Sequence, residues 1–284
     1  MSNRIENINN TGMLEYKFSN DISETLLIPL YMRAKESRRG NDAIVHDPVA
    51  QTLVEQIEYD YSKFDTAKMS EIGCAIRCWF FDKKVRDFIN CHNKPVVVNV
   101  GCGLDARCQR TALGNKTVTF YSLDLPDIIK LRERYISPTD NEKYISSSMF
   151  ETAWMDEIKK LHPGSSFLFI IEGVVMYLEE SQLKTFFNSL CERFNNTEVW
   201  FDTMGSLGIK NQNKHDSVKK MEASFKCSID DGRSLEDWNP KLSFIEQVSP
   251  GRFFRSRQTI LMRVMSISPR LFNRIYSYLG YAIK

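Results

Sequence analysis

Pro95-Val96-Val97-Val98-Asn99-Val100-Gly101-Cys102-Gly103-Leu104-Asp105-Ala106-Arg107 is the stretch whose reading settles the fold. A mostly apolar run enters a Gly-x-Gly turn, and Asp124 follows about one strand-turn-helix-strand unit later. That order suits a buried parallel strand whose carboxyl end opens onto a nucleotide. Glycine lets the backbone approach a ligand, and the next helix begins with free N–H groups aimed at the same place. The short strand ahead of Asp124 delivers its carboxylate where a ribose diol can donate two hydrogen bonds. A glycine turn alone says little; after a strand, with an acid closing the next strand, it points to an adenosine-containing cofactor.

Outward from that stretch, strands are predicted at 96–100, 117–123, 143–147, 166–171 and 198–203. Helices are predicted between them at 105–113, 126–136, 151–161 and 179–195. The alternation predicts an α/β fold, a doubly wound and mostly parallel sheet covered on both faces. Leu242 to Val248 reads as a sixth strand and Tyr276 to Ile283 as a last one. The first 94 residues read as a helical cover. Asp21 to Ser37 carries an apolar stripe with Pro29 as an expected kink, and Arg38-Arg39-Gly40-Asn41 forms a basic turn. Asp47-Pro48 starts a helix with a capping carboxylate and a proline at its first position. A long helix is expected from Asp65 to Asn90. The chain reads as a single domain: 1–94 cover, 95–203 cofactor-binding core, 204–242 substrate-side insertion with a helical stretch near 214–226, and 243–284 C-terminal strands and helix.

The bulk numbers exclude several classes. Thirty-eight basic residues against 36 acidic ones give no global field for nucleic acid. No apolar run approaches the ~18 residues a membrane helix needs, so neither nucleic acid nor membrane is an expected partner. Seven cysteines, an odd number with no metal-ligand spacing and no leader ahead of them, fit reduced thiols in a cytoplasmic protein. The four histidines, His46, His92, His162 and His215, make no metal motif, so no metal is expected. Oligomeric state is not legible.

Six blocks then appear in order: Arg33-Ala34-Lys35-Glu36-Ser37, His46-Asp47-Pro48, Arg77 with Phe81-Asp82, the glycine stretch, Leu123-Asp124-Leu125-Pro126, and Ile171-Glu172-Gly173-Val174-Val175-Met176-Tyr177-Leu178. Together they resemble the leucine carboxyl methyltransferase family, and more closely its bacterial polyketide O-methyltransferase branch. The resemblance runs from about residue 30 to residue 203. It implies a class I methyltransferase (Rossmann-like) fold and S-adenosyl-L-methionine as cofactor. By motif it implies that Arg77, with Arg33 or Lys35, clamps the methionine carboxylate, a task that suits the arginine fork. Gly101, Cys102 and Gly103 would pass under the ligand, Asp124 and Leu125 would meet the ribose, and Glu172 would take the ammonium. The family reads adenine with an Asp-Leu pair before a tryptophan; here Ser148 and Met149 stand there. Asp105 is expected to cap the following helix, with Arg107 as a partner. Tyr177 would face the methyl acceptor.

The function expected is O-methylation of a carboxylate or hydroxyl on a small, polyketide-like molecule or a terminal carboxylate. A carboxylate acceptor needs no base; a hydroxyl needs one within hydrogen-bond reach, and Tyr177, Asp202 and His215 are the catalytic candidates. Phe201, Met204, Phe225, Trp238, Phe253 and Phe254 would suit a flat apolar acceptor. Two other readings compete. Gly-Cys-Gly-Leu-Asp-Ala also fits a dinucleotide pattern, which would make an NAD(P)-dependent oxidoreductase, although no second nucleotide-binding half is visible. A catalytically silent module that keeps the cofactor pocket is the other.

Overall fold

The alternation of apolar side chains along β1 (Pro95–Val100) sorts them to opposite faces, and this builds two cores from one sheet. The computed structural model describes residues 25–212 and 225–284. Val96, Val98 and Val100 join Phe167, Phe169 and Ile171 of β4 (Ser166–Ile171) on one face. There they pack against Trp154 of a helix at Ala153–Leu161 and against Leu183, Phe187 and Leu190 of another at Glu180–Arg193. Val97, Leu168 and Ile170 point to the opposite face. They meet Phe80, Phe81, Val85 and Phe88 of the long N-terminal helix Lys68–Cys91. A strand apolar on both sides is what a parallel sheet covered on both sides requires.

The remaining strands are β2 (Thr119–Asp124), β3 (Glu142–Ser146), β5 (Thr197–Met204), β6 (Leu242–Val248) and β7 (Tyr276–Ile283). Their order is β3-β2-β1-β4-β5-β7-β6. All pairings from β3 to β5 are parallel, while β7 runs antiparallel to β5 and to β6. The order reverses between β1 and β4, so a crevice opens at the carboxyl ends of those two strands. The helices, in chain order, are α1 (Leu27–Ser37), α2 (Pro48–Gln56), α3 (Lys68–Cys91), α4 (Arg107–Ala112), α5 (Pro126–Tyr135), α6 (Ala153–Leu161), α7 (Glu180–Arg193), α8 (Ser206–Lys210), α9 (Ile260–Met265) and α10 (Pro269–Asn273).

Three local expectations need correction. Pro29 does not break its helix: it is the third residue of α1, inside the first turn, where a missing N–H leaves no intrahelical bond unmade. The long helix starts at Lys68 because residues 65–67 close a turn, with the Ala67 N–H on the Phe64 carbonyl. Asp105 does not cap α4, whose N-cap is Ala106 and carries no side-chain bond. Asp47 does cap α2, accepting the Ala50 N–H at 2.9 Å, with Pro48 first in the helix. The helix expected near 214–226 falls mostly outside the described residues. No described helix is long and apolar enough to cross a membrane.

Candidate functional site

A cavity of about 580 Å³ lies at the carboxyl ends of β1, β2, β4 and β5. The Gly-x-Gly turn forms its floor. The Gly101 and Cys102 N–H groups both donate to the Leu123 carbonyl, locking the turn to β2. Gly101 has φ +68°, and a Cβ there would lie 2.4 Å from Val174 Cγ2, so no other residue fits. The Gly103 N–H donates to Asp124 Oδ2 at 2.7 Å, and Asp124 Oδ1 accepts from the Leu125 N–H at 2.8 Å. These bonds aim the Asp124 carboxylate along the cavity wall. Burial raises its pKa above the usual carboxylate range, against the two N–H donors that hold it down.

A chain of ion pairs forms one wall. Arg77 Nε donates to Glu172 Oε1 at 2.9 Å, and its Nη1 reaches Asp202 Oδ2 at 3.0 Å and the Tyr276 hydroxyl at 3.3 Å. None of these bonds uses Nη2. Glu172 Oε2 takes Arg107, which also holds Asp82 and Asp105 at 2.8 Å each. Arg110 joins Asp47, Asp82 and Asp105, and Arg33 donates to Asp47 at 2.8 Å and to the Leu104 carbonyl at 3.1 Å. Asp105 is thereby held well below the usual carboxylate range; the surrounding arginines overcome its burial. Five arginines, Arg86 included through its 4.0 Å contact with Asp82, are thus interleaved with five carboxylates.

The structure brings most of the sequence-predicted residues to this cavity. Arg33, Arg77, Gly101, Cys102, Gly103, Asp124, Leu125, Ser148, Met149, Glu172 and Tyr177 all line it. Arg33 borders the cavity with its Nε on Asp47 and its Nη2 on the Leu104 carbonyl. Lys35 points away, paired with Glu71 at 2.9 Å. Asp202 is a correction too. It is fully buried, off the cavity wall, with Oδ1 on the Gly173 N–H at 2.6 Å and Oδ2 on Arg77 and Tyr276. A carboxylate so engaged cannot touch an acceptor directly. His215 lies outside the described residues. Of the aromatic and methionine set, Met204 and Phe225 line the cavity. Phe201 and Trp238 instead pack in the sheet core, and Phe253 and Phe254 against Trp79.

Two residues escaped the sequence reading. Tyr276 opens β7, and its hydroxyl stands between the cavity and Asp202, to which it donates. Asn99 lines the cavity floor at 2% exposure, and its amide nitrogen finds no acceptor among the described residues. A single polar residue inside an otherwise apolar strand was the signal for it. A buried donor left without a partner is costly, so its presence at a cavity marks a place where a ligand supplies the acceptor.

The cavity continues into an apolar half walled by Met69, Met204, Met262, Met265, Phe272 and Ile275. Tyr177 stands at the junction, its ring 5.4 Å from that of Phe225, with its hydroxyl pKa raised by burial and its hydroxyl bonded to Thr25. The site therefore joins a charged half to an apolar half across two tyrosine hydroxyls.

The sequence profile of the family described as leucine carboxyl methyltransferase matches residues 27–191. The tetracenomycin polyketide synthesis O-methyltransferase TcmP of Streptomyces glaucescens is 29% identical over 228 residues, 80% of this chain and 83% of that one. The S-adenosyl-L-methionine-dependent methyltransferase dpfgK of Gibberella zeae is 25% identical over 243 residues, 79% of this chain and 81% of its own. Among solved structures, a duf574 family protein from Streptomyces avermitilis superposes with a TM-score of 0.54 at 9% identity, covering 93% of this chain and 100% of that one. That likeness concerns the fold alone.

Proposed function

The chain belongs to the leucine carboxyl methyltransferase family and is therefore an S-adenosylmethionine-dependent methyltransferase; from that premise we propose that it methylates an oxygen of a small, largely apolar acceptor of the polyketide type. The observation that carries this reading is the Arg77–Glu172 pair on the cavity wall. A free amino acid presents a carboxylate and an ammonium side by side, and an arginine paired with a glutamate presents the complementary two charges.

In this reading Arg77 Nη2 and the Asn99 amide take the methionine carboxylate, and Glu172 takes the ammonium. Asp124 holds the ribose hydroxyls against Leu125, and Ser148 and Met149 border the adenine. Arg33 acts at one remove, fixing Asp47 and the Leu104 backbone beside the glycine turn. When bound, the donor supplies an electrophilic sulfonium methyl group. The protein's part is to align an acceptor oxygen in the apolar half and to exclude water from it. A nicotinamide dinucleotide is not favoured: Asp105 puts a carboxylate at the start of α4, where a pyrophosphate would need bare N–H groups. In the same reading the chain is one domain, with residues 25–94 covering the cofactor edge, 95–203 forming the core, the described parts of 204–242 lying on the substrate side and 243–284 completing the sheet. The seven free cysteines support a reducing, cytoplasmic setting.

Calorimetric titration with S-adenosylmethionine and S-adenosylhomocysteine, with NAD as the control, tests the cofactor half. Heat with NAD and none with the other two would sink it. Two variants sharpen the test. Asn99→Val is expected to weaken cofactor binding by about tenfold, the value of one hydrogen bond to a charged group, while the melting temperature of the empty protein holds or rises because an unsatisfied donor is gone. A melting point that falls with unchanged affinity would assign Asn99 to the fold instead. Binding is also expected to fade with acid at a pH above the ordinary carboxylate range, as Asp124 takes up a proton and stops accepting from the ribose. The empty protein responds with the opposite sign, since protonation relieves the burial of that charge. Asp124→Asn should flatten the binding profile, read by titration across pH.

A further inference from the structure

The last 38 residues carry a charge asymmetry that the whole-chain balance conceals. Residues 247–284 hold six arginines and one lysine, and none of the 36 acidic residues. Between β6 and β7 this segment folds into α9 and α10, and its two sides differ. Met262, Met265 and Phe272 point inward to the apolar half of the cavity. Outward stand Ile260, Leu261, Val264, Ile267 and Leu271, of which Ile260 is 80% and Ile267 74% exposed. Isolated exposed aliphatics are ordinary; five within twelve residues are not. Exposed arginines flank them. Arg252, Arg255, Arg263 and Arg270 have no carboxylate partner among the described residues, and Arg274 has only a half-exposed contact with Asp230 at 3.5 Å.

We propose that the α9–α10 face docks on an anionic phospholipid surface, with its aliphatic side chains entering the headgroup boundary and its arginines on the lipid phosphates. Aliphatic tips flanked by cations, on a segment with no carboxylate of its own, are the composition that an interface of apolar chains and negative headgroups selects. A protein partner's binding patch would be expected to centre on aromatic anchors, and none of the five outward residues is aromatic. The placement also has a consequence for the site. The same two helices wall the apolar half of the cavity, so an acceptor dissolved in the bilayer would reach it without crossing water. That consequence rests on the proposed acceptor class; the docking itself does not.

The test is co-sedimentation of the full chain with vesicles of phosphatidylcholine alone and with about one third phosphatidylglycerol. The pelleted fraction is expected to rise about tenfold or more with the anionic lipid and to fall as salt is added. This arm needs no variant. Ile260→Ser with Ile267→Ser is expected to lower the vesicle partition constant about tenfold, and Arg255→Gln with Arg270→Gln about fivefold per arginine. Both double variants should keep the wild-type melting temperature and cofactor affinity. Equal pelleting with neutral and anionic vesicles overturns the proposal, as does none with either. It also fails if the face instead joins two copies of the chain, seen as a dimer by sedimentation that the isoleucine variant dissolves. Recovery of an acidic protein in place of lipid overturns it equally.

Discussion

Arg77→Met is expected to abolish measurable cofactor binding and to lower the melting temperature by about 10 °C. The second effect follows from what Arg77 leaves behind. Glu172 Oε1 and Asp202 Oδ2 both lose their nearest cation, and Asp202 is fully buried. Removing one partner of a buried pair costs about 3–5 kcal/mol, because a charge remains without compensation, and each kcal/mol moves a chain of this size by about 2–4 °C. The first effect follows from Nη2, the one terminal nitrogen that no described residue engages. Arg77→Lys separates the two. An ammonium restores the positive charge beside Glu172 and Asp202, so most of the stability returns. It does not restore the fork, so cofactor affinity stays about ten- to a hundredfold below wild type. Differential scanning calorimetry reads one quantity and titration the other. If Arg77→Lys binds cofactor as well as wild type, the carboxylate clamp is not Arg77.

That separation could not have been planned from sequence, and the reason is distance along the chain. β1, β4 and β7 were legible because each writes its own apolar pattern within six to eight residues. The glycine turn and Asp124 were legible because the turn and the acid bracket a single helix. Arg77 and Glu172, by contrast, are 95 residues apart, and Arg77 and Asp202 are 125 apart. Nothing in the composition near any of them names its partner. Asp105 was read as a cap because local chemistry offers that role to an acid before a helix. The expected partner Arg107 does hold it, but Arg110 one turn on and the remote Arg33 join in, and these charges outweigh the capping bond. Asp202 was read as a candidate base from its place at a strand end. The register of β7, which sets Tyr276 opposite Met204, puts a hydroxyl between it and the cavity.

Tyr276 is therefore the position where acceptor chemistry becomes measurable, and Tyr276→Phe is expected to lower kcat by about 10²–10³-fold on a phenolic or alcoholic acceptor, the range of general acid–base contributions. The tyrosine hydroxyl donates to Asp202 and accepts from Arg77 Nη1 at 3.3 Å, and the residue borders the cavity. Burial and the Asp202 carboxylate raise its pKa well above the usual tyrosine value, so it does not act as a standing phenolate. The role we propose for it is a relay: the acceptor hydroxyl would give its proton to the tyrosine oxygen as the tyrosine proton passes to Asp202. Phenylalanine keeps the ring and removes the relay, so KM for the donor should stay near wild type while kcat falls. On a carboxylate acceptor, already nucleophilic, the same substitution should leave kcat within about threefold, because no proton needs to leave. Tyr177→Phe supplies the contrast. Its hydroxyl is bonded to Thr25, and among the described residues no carboxylate hydrogen-bonds to it, so its expected part is to orient an acceptor. It is expected to raise acceptor KM more than it lowers kcat. Steady-state rates for both variants, on one phenolic and one carboxylic acceptor, give four comparisons. A Tyr276→Phe enzyme that turns over a phenolic acceptor at the wild-type rate would remove the relay from the mechanism.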